Sequence, residues 1–169
     1  VVGLLVKYLM PANRPEGVAD VIEAGALRGG RMSGLIGVKA ALINALSIGF
    51  GASVGREGPA VHFGAALGGW LAGSLNLNRS VSRTLLGCGA AAAVAASFNA
   101  PIAGALFASE VVIGHYALSA FAPVVIASVT ATAISRSYFG DFPAFVIHEH
   151  VIQSLWEFPA FIIFGVVAG

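Results

Sequence analysis

Residues 51–69 read GASVGREGPAVHFGAALGG, and the pentapeptide GREGP at 55–59 is the strongest indication of the fold in this sequence. Two ionisable side chains stand there between glycines, in an otherwise apolar stretch. A charged side chain inside a membrane is costly and is by default a functional hypothesis. Pro59 suits the first turn of a helix, where its missing N–H is no loss. The stretch therefore predicts a helix that begins inside a membrane.

The composition points to the same environment. The 169 residues are 57% hydrophobic and only 10% charged, with a mean hydropathy of +0.88. Soluble domains average about 25% charged residues, so a soluble enzyme domain is disfavoured. The net charge of +1 lacks the cationic surface that nucleic acids require. The 22 glycines are typical of membrane helices that pack backbone to backbone.

Apolar segments of unequal length alternate with short polar ones. Ser33–Val54 and Val111–Ser135 are expected to be long spans. Before them, the end of a helix is expected over Val1–Met10 and a short helix over Asn13–Glu23, with Pro15 in its first turn. Between them, we expect an apolar segment Ala60–Leu75, a loop Asn76–Arg83 and two short helices within Thr84–Ser109, divided at Asn99–Pro101. After them, we expect an exposed loop Tyr138–Glu149 and a further span over Val151–Gly169.

This pattern predicts an all-α, polytopic membrane bundle of tilted, broken helices. Broken helices at membrane depth must be buried in protein or line a watery cavity. Both chain ends are apolar, so residues 1–169 are expected to be a fragment of a longer membrane domain. The loops 28–31 and 79–83 are net positive, which favours the cytoplasmic side.

The GREGP motif has two interpretations. Backbone amides from Gly58 to Val61 at a helix start would attract an anion. Ionised Glu57 would occupy the same amides, whereas protonated Glu57 would leave them, which makes it a gate. Alternatively, Arg56 and Glu57 form a charge pair that caps the helix, and the residue types alone do not decide between the two.

Three motifs in order give the chain a family resemblance. GREGP at 55–59, GCGAAAA at 87–93 and FNAPIAGALF at 98–107 resemble the CLC chloride channel/transporter family, as does Lys39 upstream. The resemblance implies roughly the first half of a CLC membrane domain, in a homodimer with one chloride pathway per subunit. It implies subunit contacts through 101–113 and 117–135. It makes Glu57 the gate and assigns the surroundings of the outer anion sites to Arg56, Gly58, Pro59, Ala60 and Val61.

The early anion-binding motif departs from the family pattern. Where the family usually reads Gly-Ser-Gly-Ile-Pro, this chain has PEGVA at 15–19, with Glu16, Gly17 and Val18 at the anion-facing positions. Ionised Glu16 would repel chloride at close range. Two explanations stay open: the side chain is turned away, or its environment keeps it protonated.

The inner proton position also departs from the exchangers of the family. The pair reads Glu110-Val111, and an apolar Val111 cannot relay a proton. Glu110 is expected to be a hydrogen-bonded structural carboxylate. The sequence thus favours gated, channel-like chloride permeation in the plasma (cell inner) membrane. A proton-coupled Cl⁻/H⁺ exchanger or a non-transporting piece of a membrane assembly is the alternative.

The remaining polar and aromatic residues suggest structural roles, and no metal, cofactor or catalytic group is expected. These residues are an exposed loop at His148-Glu149-His150, hydrogen-bonded histidines His62 and His115, interface anchors Trp70 and Trp156, and a buried Cys88.

Overall fold

The computed structural model describes residues 2–10, 13–53, 55–141 and 157–168, and within these ranges the regular secondary structure is helical. The helices are α1 (Val2–Leu9), α2 (Val18–Ala26), α3 (Gly34–Gly49), α4 (Glu57–Ser74), α5 (Arg79–Phe98), α6 (Pro101–Phe107) with a π-helical continuation (Ala108–Ile113), α7 (Leu118–Phe139) and α8 (Glu157–Ala168). The predicted all-α bundle of helices of unequal length is confirmed.

The antiparallel pair α4 and α5 forms the centre of the bundle. A Cβ atom on Gly64 would overlap the carbonyl oxygen of Gly89, and one on Gly89 would overlap that of Gly64. Gly68 lies equally close to the backbone of Leu85. Two helices approach this closely only where side chains are missing, as is typical of membrane helix interfaces.

The other helices pack around this pair. α3 crosses α4 where Gly37 meets the Cβ of Ala66, and α7 lies along α5. The buried apolar core has small and medium side chains from α2, α4, α5, α6, its π-helical continuation and α7: Val21, Val61, Ala65, Leu86, Ala90, Ala91, Ala105, Ala108, Val112, Ile113, Ala120 and Val124. Large apolar side chains cover the outside, as expected of a lipid-facing surface.

Two expected boundaries near polar residues were wrong. Pro15 does not lie in a first helical turn, because α2 begins at Val18 after the extended Gly17. The expected loop 76–83 ends earlier, since the Asn78 side chain accepts a hydrogen bond from the Val81 amide (2.9 Å) and caps α5. An N-cap of this kind supplies a partner for an otherwise free amide.

The two expected long spans were also wrong in extent. Val111–Ser135 is not one helix: the π-helical turn ends at Gly114, which adopts a left-handed conformation (φ 80°), and α7 begins at Leu118. α3 has 16 residues rather than the expected 22-residue stretch. Among the described helices, α5 and α7 are long and apolar enough to cross a membrane by themselves.

The break within 84–109 is confirmed. Asn99 ends α5 in a left-handed conformation (φ 55°), and Pro101 opens α6. Tyr138 still belongs to α7, so the expected exposed loop starts later, and its remainder from 142 to 149 lies outside the described residues. α8 occupies 157–168 of the expected final span.

We predict that Gly64→Val lowers the free energy of unfolding by about 1–3 kcal/mol or more, because the new side chain has to push α5 away. The measurement is the thermal midpoint of the detergent-solubilised protein. Gly73→Val is the matched control on the same helix, since nothing lies within 4 Å of a Cβ built there. Equal midpoints for the two variants would contradict this account of the α4–α5 contact.

Candidate anion-binding site

The first turn of α4 (residues 57–60) has two backbone donors without a partner in the described part of the chain. The Ala60 amide donates to the Arg56 carbonyl (3.1 Å), so it is not available to an anion. Pro59 has no N–H. Within the described part of the chain, the amides of Glu57 and Gly58 have no hydrogen-bond partner. An 18-residue helix thus directs the positive end of its dipole and two unused donors to one point.

The Glu57 carboxylate folds back over the chain that precedes it. A Cβ atom on Gly55 would overlap Oε2 of Glu57, so the carboxylate occupies the space that a side chain at 55 would need. Glycine at this position therefore leaves room for the acid to lie across its own helix start. Glu57 itself is exposed.

Arg56 does not form a charge pair with Glu57. Its guanidinium donates to the Ser97 carbonyl (3.3 Å) near the end of α5, and no described ion pair joins it to the neighbouring acid. The interpretation of GREGP as a charge-paired helix cap is therefore wrong. The arginine leaves the acid without a fixed cationic partner.

Space at the α4 start opens on the side of Gly58. A Cβ built on Gly58 meets nothing within 4 Å, whereas Val61 is buried in the core. Pro59 and Ala60 are half-buried. An ion can approach the Gly58 amide closely, because no side chain covers it.

The α2 start is occupied by carboxylates of the protein itself. The Gly17 amide donates to the Asp20 carboxylate (2.8 Å), and the Arg14 guanidinium pairs with the same carboxylate. A carboxylate at the first helical turn takes the place that an anion would have. The helix start that matches the family's early anion motif is therefore already neutralised in part.

Glu16 is turned towards α4. Its Oε2 lies 2.8 Å from Nε2 of His62, whose side chain is fully buried, while the Glu16 side chain is 15% exposed. The contact has ion-pair distance but not the direction of a hydrogen bond, so both ring nitrogens lack a hydrogen-bond partner among the described residues. The expectation that hydrogen bonds satisfy His62 was wrong. Two explanations were open for Glu16: a side chain turned away from the anion, or one kept protonated. In the structure the carboxylate faces the His62 imidazole.

Glu16 and the α4 start share a cavity. A space of about 190 Å³ is lined by Glu16 and Pro59 together with polar groups of α3, Asn44 and Ser47. The rest of its lining comes mostly from apolar residues of α1 and α3. The two helix starts that the sequence singled out separately therefore border one space.

The inner position lies in the π-helical turn after α6. Val111 is partly exposed, and its neighbour Glu110 accepts a hydrogen bond from the Tyr116 hydroxyl (3.4 Å). Glu110 is thus hydrogen-bonded as expected, but it is exposed rather than packed. His115 is likewise hydrogen-bonded as expected, since its Nδ1 accepts from the Ala117 amide (3.3 Å).

The two arginine groups meet at the far end of α4 from Glu57. Arg79 donates to the Ala26 carbonyl (3.0 Å) and Arg31 to the Leu77 carbonyl (3.3 Å). The Ala26 carbonyl at the end of α2 and the Leu77 carbonyl before α5 therefore each accept a hydrogen bond from an arginine. Both positive loops consequently lie on one side of the bundle.

The other singled-out residues give less. Trp70 is 54% exposed beside Gly34, and Cys88 is half-buried. The residues at 148–150 and 156 lie outside the described ranges. Within those ranges, no group of His, Cys, Asp or Glu side chains is arranged to hold a metal ion.

A helical bundle with an apolar exterior, short broken helices and a helix start that presents free amides defines an integral membrane protein of the ion channel and transporter class. The chain belongs to the voltage gated chloride channel (CLC) family, whose sequence profile matches residues 1–169. Members of this family are chloride channels and transporters rather than enzymes.

Individual relatives agree with this assignment. A ClcB-like protein of Ralstonia nicotianae is 34% identical over 99% of this chain and 40% of its own length. The "Chloride/fluoride channel protein" of Pseudomonas syringae is 40% identical over 71% of this chain and 27% of its own. The crystal structure of a slow cyanobacterial Cl⁻/H⁺ antiporter superposes with a TM-score of 0.77 at 25% identity, covering 98% of this chain and 40% of that one. The chain thus spans at most about 40% of the length of these relatives.

Proposed function

We propose that this chain supplies the first part of a gated, channel-like chloride pathway, as a partial CLC membrane domain in the plasma (cell inner) membrane. The observation that carries the proposal is the α4 start, where two backbone amides and the acid Glu57 have no partner among the described residues. A mobile acid can act as a gate because it competes with chloride for the same backbone amides.

The gate works by exchange of anions at one place. Ionised Glu57 swings from Gly55 onto the free amides and excludes chloride. Protonated Glu57 has no charge to hold there and leaves the amide of Gly58 to the ion. Arg56, tied to the end of α5, keeps the local potential positive in both states.

A proton-coupled exchanger is the second candidate. It is favoured by the likeness to a Cl⁻/H⁺ antiporter, which is a property of that protein. Coupled exchange needs a second protonatable group on the inner side, and the aligned position here is Val111. Glu110 next to it is engaged with Tyr116, so we favour the channel.

The side with the arginine groups is proposed to face the cytoplasm, in keeping with the positive-inside rule. The subunit contact of a homodimer is proposed to use 101–113 and 117–135. Large apolar side chains on α6 and α7 are exposed in the single chain, including Ile102 (76%) and Ile126 (66%). An isologous contact would cover the same surface on both subunits.

We predict that Glu57→Gln weakens the pH dependence of chloride flux through the full-length protein in liposomes. The amide mimics the protonated acid, so the variant conducts at neutral pH as the parent does at acidic pH. The parent's flux should rise up to about tenfold per unit fall in pH while Glu57 is mostly ionised. Glu23→Gln is the control, because this acid pairs with Arg28 on the surface of α2. Parent and Glu57→Gln fluxes that coincide at every pH would remove the gate assignment.

Chloride movement is predicted to be uncoupled from protons. A chloride gradient should drive no proton uptake into liposomes, and the reversal potential should follow the chloride gradient alone. The reason is the missing titratable group at Val111. Uphill proton movement driven by chloride would establish the exchanger instead, and loss of that movement in Glu110→Gln would then identify the inner group.

Cysteines introduced at 102 and 126 in a Cys88→Ser background are predicted to trap covalent dimers under oxidising conditions. A cysteine at Leu35, which is 66% exposed on α3, is the control for random collisions. The readout is the dimer fraction on a non-reducing gel. Dimer yields no higher than those of the Leu35 control would refute the placement of the subunit contact.

A further inference from the structure

The contact between Glu16 and His62 is a buried acid–base pair with no role in the gate described above. The imidazole is wholly inaccessible to solvent, and the Glu16 side chain is 15% exposed. Neither ring nitrogen has another hydrogen-bond partner among the described residues. A buried carboxylate needs a proton or a cation close by, because an isolated buried charge is strongly unfavourable.

The pair adjoins the proposed anion path. Glu16 lines the same cavity as Pro59 of the α4 start. His62 lies on α4 one helical turn after Gly58, whose amide is one of the two free donors. Any change in the net charge of the pair therefore acts on an anion at short range and in a medium of low dielectric constant.

Few other charges act on the pair. Asp20 of α2 interacts electrostatically with His62, and Arg14 interacts electrostatically with Glu16. These two outer groups pair with each other, so their charges largely cancel. Glu57 precedes His62 on the same helix, and Glu23 of α2 pairs with Arg28. The other ionisable groups on helices that pack against α4 are Lys39 on α3 and Arg79, Arg83 and Cys88 on α5, and no described hydrogen bond or ion pair joins them to Glu16 or His62.

We propose, on the basis of the function proposed above, that Glu16 and His62 form a second proton-controlled element of the chloride path, separate from the Glu57 gate. The number of protons on the pair sets its net charge: −1 without a proton, 0 with one, +1 with two. Chloride binds when the pair holds at least one proton and is repelled when it holds none.

This arrangement explains how the chain can carry an acid where the family usually has a hydroxyl donor. In the neutral pair, one proton on either group compensates the carboxylate charge, and the repulsion of chloride is removed. The device is reversible, in contrast to the permanent pairing of Asp20 with Arg14. It makes the chloride path respond to protons at a second place.

The test uses the full-length protein with Glu57→Gln as the background, which removes the response of the first gate. Chloride binding is measured by titration calorimetry in buffers of different ionisation enthalpy, at about pH 5 and about pH 8. The parent background should bind chloride about tenfold more weakly at the higher pH. It should also take up protons as chloride binds, because the linkage between the two ligands is reciprocal.

Two substitutions on the background separate this inference from general damage. Glu16→Gln preserves the shape of the side chain and removes the negative charge, so it should bind chloride more tightly than the background at about pH 8. The double variant Glu16→Gln/His62→Gln removes both groups of the pair and should bind chloride equally at both pH values, with no proton uptake. His62→Gln leaves Glu16 without its partner and should weaken binding at about pH 7 by several-fold. His115→Gln is the matched imidazole control, since His115 lies in the exposed link before α7, and it should behave as the background does.

The possible failures are distinguishable. Chloride binding by the background with equal affinity at both pH values, or proton uptake that persists in Glu16→Gln/His62→Gln, would overturn this inference and leave the Glu57 gate intact. A background protein that binds no chloride at either pH would overturn the proposed function together with this inference.

Discussion

The first amides of a helix that begins at membrane depth have to be satisfied without help from lipid. Water, a protein side chain or a bound ion can do so, and each choice gives the helix start a different role. In this chain the constraint falls on α2 and α4, whose starts border one cavity. The sequence around each start determines which solution is used, and the properties of the site follow from that choice.

The two starts use opposite solutions. At α2, Asp20 accepts from the Gly17 amide and is paired with Arg14, so that start is satisfied by groups that stay in place. At α4, Pro59 removes one donor and Arg56 is directed to the Ser97 carbonyl, so two amides of the first turn have no partner among the residues that the structure describes. The close packing of Gly64 against Gly89 holds α4 against α5. That contact keeps the free amides in a fixed position even though they are exposed.

Much of the fold could be predicted, because its signals are local. Gly and Pro mark the break at Asn99–Pro101 and the start of α4, and both predictions were confirmed. The start of α5 was missed because Arg79 and Arg83 suggested a loop, whereas Asn78 acts as a cap. The break after Ile113 was missed because Gly114 lies in an almost uninterrupted apolar stretch, so hydropathy alone gives no sign of a turn there.

The candidate site was predictable in its residue types but not in its contacts. GREGP indicated the α4 start, and PEGVA indicated an acid at an unexpected place, yet nothing in either motif pairs Glu16 with His62. The two are 46 positions apart, and their contact depends on how α2 and α4 pack. The sequence suggests only a structural role for His62, since it is a histidine in an apolar helix. In the structure, Oε2 of Glu16 lies 2.8 Å from its Nε2. Under the inference proposed above, the departure from the family motif at Glu16 depends on His62, because the imidazole lies against the acid.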